Sequence, residues 1–256
     1  MNLILDDLVQ ILITGLIPFL RISALLLAAP LVSLRVVSVR IRIALALLLT
    51  IFIYPMLELP AVDATSTAGM MLVGQELLIG VLFAIVLQVV NAAMSVAGQS
   101  MSMSMSLGMA QTVDPNAGRV PVIGSFLVVL STLIFLSIGG HLIMIKLILQ
   151  SFEVLPIGRA INIQETLGNV IEWTAMVFLG AVLIALPIML TMMLINLCIG
   201  IVTRVAPSLN IFAVGFPAMV LTGMLLMVVF LVNIGHRIEW IWLEAFDTAQ
   251  SIWVVP

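Results

Sequence analysis

Residues 173–202 read WTAMVFLGAVLIALPIMLTMMLINLCIGIV, thirty consecutive positions without an Asp, Glu, Lys, Arg or His. A helix of about 20 apolar residues crosses the hydrocarbon core of a bilayer. This stretch therefore predicts a membrane helix with length to spare. The rest of the chain agrees. Of its 256 residues, 63% are hydrophobic and 8% charged, against about 25% charged in a soluble domain. The deficit excludes a soluble enzyme or a nucleic-acid binder and predicts an all-α integral membrane protein.

Working outward, five more apolar segments satisfy the same rule: 8–34, 43–59, 70–97, 122–149 and 211–234. The expected architecture is thus about six long, kinked hydrophobic helices paired in hairpins. Pro18, Pro187 and Pro217 fall within or near apolar runs, and each removes a backbone donor, so bends are expected. Gly139-Gly140 predicts a break that divides 122–149 in two. Gly74, Gly80, Gly98, Gly180, Gly200, Gly215 and Gly223 are expected packing positions, because small residues let helices approach closely in lipid.

The charges sort by side. Arg35, Arg40, Arg42, Arg119 and Arg204 lie in one set of links. Asp6, Asp7, Asp63, Glu153, Glu165, Glu172, Glu239, Glu244 and Asp247 lie in the other, opposed by Arg159 and Arg237. Basic links favour the cytoplasm, which places both termini outside. The first ten residues carry Asp6 and Asp7 and no basic residue, so a cleavable signal is not expected. Arg21, Glu76 and Lys146 fall in or at the ends of apolar runs. Glu76 and Lys146 lie near ends and are expected to snorkel to the interface. Arg21 lies deeper, where a charge needs a partner or water. The sequence names no partner, and a buried structural pair and a pore-lining role stand level.

Between the third and fourth segments runs Gly98-Gln-Ser-Met-Ser-Met-Ser-Met-Ser-Leu-Gly-Met109. Alternating Met would share one face of an extended chain but scatter around a helix, so an extended or irregular loop is the expected form. Flexible thioethers pack against many shapes. The tail 237–254 carries Trp240, Trp242, Phe246 and Trp253, which suits a helix end at a membrane or subunit boundary.

No chemical constellation accompanies these segments. There is no zinc-protease His pair, no nucleophile elbow and no phosphate loop. His141 and His236 stand apart and are expected to make structural hydrogen bonds. The single Cys198 allows no disulfide framework. No enzyme activity, cofactor, metal or nucleic-acid partner is expected.

Two motifs carry a resemblance. One is DPNAGRVPVIGSF at 114–126, followed by Gly140-His141-Leu142; the other is RVAPSLNIFAVGFP at 204–217. Local chemistry gives them folding roles. Asp114, Pro115 and Gly118 are turn residues, Pro121 can open a helix, and Gly124 follows within it. After Arg204, Pro207 and Asn210 make a compact turn with Asn210 as N-cap. Phe212 follows, and Gly215 and Pro217 permit a bend. In this order, over nearly the whole length, the motifs resemble the FliR family of flagellar export-gate proteins, related to the SctT proteins of virulence secretion.

The resemblance implies a bacterial inner-membrane protein of the flagellar basal body, held largely above the membrane plane on the periplasmic side. It implies FliP-like and FliQ-like partner subunits, FlhB-like and FlhA-like export components, membrane lipid and unfolded flagellar substrates. It also implies a FliP-like part at 1–172, including a plug loop at 98–120, and a FliQ-like hairpin at 173–256. In that setting Met101, Met103, Met105, Leu107 and Met109 would seal a conduit between substrates, since a narrow apolar constriction gates by dewetting. Two alternatives remain: a copper(I) path along the Met tract, because soft thioethers select that ion, and a non-conducting scaffold.

Overall fold

The computed structural model describes residues 2–28, 38–57, 66–107, 122–159, 161–205 and 211–251, with side chains from residue 14 to 27 and from 215 to 251 in the first and last helices. The elements are α1 (Asn2–Ala28), α2 (Val39–Ile53) with a short 3-10 turn (Tyr54–Met56), α3 (Thr67–Ser104), α4 (Val122–Ser137), α5 (Gly140–Val154), α6 (Ile163–Val205) and α7 (Ile211–Ser251). No strand occurs among the described residues, so the protein is all-α.

Three helices exceed what a bilayer requires. With 38, 43 and 41 residues, α3, α6 and α7 run about 57, 65 and 62 Å at 1.5 Å per residue, against about 30 Å of hydrocarbon. By length and composition, four helical stretches can cross a membrane, and α4 with α5 forms a fifth candidate bent by 68°. The bend falls at the expected glycines. Gly139 takes φ 71° at the N-cap of α5, a left-handed conformation that costs glycine least. Pro18, Pro187 and Pro217 all lie inside helices.

Local chemistry starts two of the long helices. Ser66 Oγ accepts from the backbone N–H of Gly69 at 3.1 Å, the N-cap bond. At the head of α6, Asn162 Oδ1 accepts from Glu165 N–H while its Nδ2 donates to Glu165 Oε2, a reciprocal cap. Several threonines inside the helices are satisfied by their own helix. Thr50, Thr132, Thr174, Thr191 and Thr222 each donate to the carbonyl four residues back, so these five hydroxyl protons are not left bare in an apolar medium.

The chain divides into two compact units: Met1–Val89 with Gly139–Thr174 and Leu243–Pro256, and Val90–Ile138 with Ala175–Trp242. In the first, α1 packs tightly on α3. A Cβ at Gly80 would meet the Arg21 carbonyl and Ala24 Cβ closer than 3.0 Å. Trp173 Nε1 donates to the Val86 carbonyl at 3.1 Å. In the second, Gly98 lies on the backbone of Ile123 and Gly124, again closer than a Cβ allows. Trp242 is fully buried there. Its Nε1 donates to Ser131 Oγ at 3.0 Å, and Ser131 donates to Asn91 Oδ1 at 3.0 Å. Its ring packs on Phe135 at 4.7 Å. This corrects the reading of Trp242 as a boundary residue: its indole proton is used inside, joining α3, α4 and α7. Phe246 is also buried, and Trp240 is exposed. Trp253 lies outside the described residues.

Candidate functional site

The Met/Ser tract is largely helical, which corrects the expectation of an extended loop. α3 continues through Ser104, and Met105 N–H donates to the Met101 carbonyl at 3.0 Å. The serines permit this. Ser100 and Ser104 donate to the carbonyls of Val96 and Ser100, each at 3.0 Å, so alternating hydroxyls do not disrupt an apolar helix. Helical period then sorts the sulfurs. Met101 and Met105, one turn apart, are fully buried, whereas Met103 between them is 66% exposed. Leu107 is half-buried.

The end of the helix is held by sulfur contacts. A Cβ on Gly223 of α7 would meet Met105 Cγ at 2.5 Å and Sδ at 2.9 Å, so glycine leaves a seat for the thioether. Ser106 adopts φ 61°, unusual for a residue with a Cβ, and its Oγ donates to Met219 Sδ at 3.3 Å. Asn196 Nδ2 donates to the Ser104 carbonyl at 3.4 Å. The tract thus ends as a helix clamped by α6 and α7, with one methionine facing outward.

The first unit holds a contrasting centre. Arg21 is 2% exposed and Glu76 is 0% exposed. Arg21 Nε donates to Glu76 Oε2 at 2.5 Å. Its Nη1 and Nη2 donate to the Leu155 carbonyl at 3.0 Å, and Nη1 also to the Ser151 carbonyl at 2.9 Å. Those carbonyls close the C-terminal turn of α5, where a helix lacks donors and welcomes a cation. The guanidinium also stacks over Phe152, 4.3 Å from the ring centroid. One group therefore ties α1, α3 and α5. Glu76 Oε1 is buried without a hydrogen-bond partner among the described residues.

Arg21 has thus found its partner, and Glu76 does not snorkel. α3 begins at Thr67, so Glu76 sits more than two turns inside it, too deep for its short side chain to reach water. Two opposite charges in separate apolar runs were the available signal, since neither is tolerable alone. Lys146 and His141 are exposed. His236 is exposed and lies 3.8 Å from Glu239.

Of the remaining sequence-predicted residues, Gly124 is buried against Gly98, Gly215 is buried, and Arg204 and Pro217 are exposed. Met109, Asp114, Pro115, Gly118, Pro121, Pro207 and Asn210 lie outside the described residues, as does the side chain of Phe212. Gly223 and Ser131 matter more than their sequence surroundings announced. Among the described residues no cluster of three or more His, Cys, Asp or Glu could hold a metal.

Comparison with known proteins bears on this arrangement directly. The profile of bacterial export proteins, family 1, matches residues 12–245. The chain is 36% identical over 236 residues to the flagellar biosynthetic protein FliR of Pectobacterium carotovorum subsp. carotovorum, covering 92% of this chain and 90% of that protein. It is 33% identical over 236 residues to FliR of Escherichia coli (strain K12), with the same coverage. It is 29% identical over 219 residues to FliR of Bacillus subtilis (strain 168), covering 84% of each. An all-helical chain too apolar for water, matched over nearly its whole length by these proteins, belongs to the FliR family of flagellar export components.

Proposed function

We propose that this flagellar export component helps form and seal the conduit through which unfolded flagellar subunits pass, with the end of α3 as part of the seal. The observation that carries the reading is the sorting of the Met tract. Met101 and Met105 anchor the helix end, and Met103 is left facing out on a rigid support. A thioether so held can yield to a passing polypeptide and close again without a specific fit, and a ring of apolar groups excludes ions by dewetting. Half-buried Leu107 would share this role, and Met109, outside the described residues, is proposed for it on the sequence reading alone. The division of labour refines the sequence reading, in which all five residues seal alike.

The partners follow from the same reading. FliP-like and FliQ-like subunits would complete the wall, with FlhB-like and FlhA-like components beside it. Residues 1–172 would correspond to a FliP-like part and 173–256 to a FliQ-like hairpin, the long apolar faces of α6 and α7 being covered by neighbours and lipid. A position at the periplasmic side of the inner membrane belongs to this proposal. The anchoring also disfavours the copper path, because Met101 and Met105 are committed to packing.

The test is ion leakage in cells making the whole gate. Met103→Ser, which leaves the anchors intact, is expected to raise leakage while the gate still assembles. Met103→Leu is expected to stay tight. Normal tightness and secretion in Met103→Ser, and also in a variant with Met101, Met103 and Met105 all changed to Ser, would remove the tract from the seal.

A further inference from the structure

We propose that the second unit carries a binding site for an anionic glycerophospholipid, in the cleft between α6 and α7. The cleft holds about 570 Å³. Leu183 and Pro187 of α6 form one wall; Asn233, His236, Arg237 and Trp240 of α7 form the other. Asn233 and Arg237 are one turn apart and share a helix face, with Trp240 a further turn along it.

Charge decides the ligand class. His236 has Glu239 at 3.8 Å. Arg237 has no carboxylate partner among the described residues, so it brings a positive charge without a counter-ion to the cleft. A guanidinium beside an amide donor fits a phosphodiester oxygen pair. Both walls continue into exposed apolar surface at Leu186, Val229 and Val232, which a free anion would leave wet and acyl chains would cover. Trp240, with its apolar ring and polar N–H, suits the glycerol level between the two. Basic pockets between apolar helices bind lipid headgroups in this way.

The site is independent of the seal, and its test does not read export. The full chain, co-purified with its export subunits, is reconstituted with phosphatidylglycerol or phosphatidylcholine, and retained lipid is measured by native mass spectrometry. Phosphatidylglycerol is expected to be retained in preference. Arg237→Gln is expected to lower its retention about tenfold, the effect of one lost charge-assisted hydrogen bond. Leu183→Trp, which fills the cleft without altering charge, is expected to lower it similarly, and Arg237→Lys, which keeps the charge but loses the planar fork, to fall between the parent and Arg237→Gln. Equal retention of the two lipids, or retention unchanged in both Arg237→Gln and Leu183→Trp, overturns the proposal.

Discussion

The Arg21–Glu76 centre and the Met101–Met105 anchor solve opposite problems. The first joins three helices by directional bonds between full charges, and each bond has one geometry. The second joins helices by soft sulfur contacts on a glycine seat, and these accept many. A frame that must stay assembled in an apolar medium gains from directional bonds, because a misplaced charge there has nowhere to go. A part that must deform and recover gains from contacts that cost little to shift. The second unit has directional bonds of its own, at Trp242, Ser131 and Asn91, so the contrast is between these two centres: under the proposed sealing role, the charged one serves as frame and the thioether one holds the end of α3 by contacts that can give.

The largest expected effect comes from breaking the frame. Glu76→Ala leaves the Arg21 cation buried and uncompensated, at a cost of about 3–5 kcal/mol. The protein should fail to accumulate in membranes, as measured by immunoblot of the full chain. Replacing Arg21 and Glu76 together by Met should restore much of the accumulation, because no orphan charge remains. If the single and double variants accumulate alike, the pair is not the tie it looks to be.

Next is the anchor. Met105→Ala removes a fully buried side chain and should cost about 2–5 kcal/mol, depending on how far α7 can collapse onto the space. The reciprocal change, Gly223→Ala, should cost less, about 1–3 kcal/mol, the usual range for overpacking, as the new methyl forces Met105 Cγ and Sδ to shift within a filled site. Thermal unfolding in detergent would rank them, and the reverse order would show that the seat is rigid. The smallest structural effect belongs to Met103→Ser. Its exposed position predicts a stability change within about 0.5 kcal/mol, however large its effect on leakage.

Much of this was legible in residue patterns. Apolar run length located every described helix, and Gly139-Gly140 located the bend. What escaped depended on phase and depth. In the Met tract, alternation argued for a strand-like face, yet α3 simply continues, and a helical turn pairs Met101 with Met105 while turning Met103 away. The serine back-bonds that allow this are local and were readable. Glu76 escaped because its distance from the next polar link measures depth only when the helix start is known. Trp242 escaped because an aromatic-rich tail looks alike whether its indoles meet lipid or Ser131. The seat at Gly223 could not be read from its neighbours in sequence, because its occupant lies more than 100 residues earlier.

The claim that the outward methionine faces the conduit is tested most directly by photocrosslinking to a stalled export substrate, with a photoreactive residue at position 103 and, for comparison, at exposed Met176 on α6. The account predicts adducts with the translocating polypeptide from position 103 and few from position 176. Adducts from 103 to lipid alone, with the substrate untouched, would contradict it.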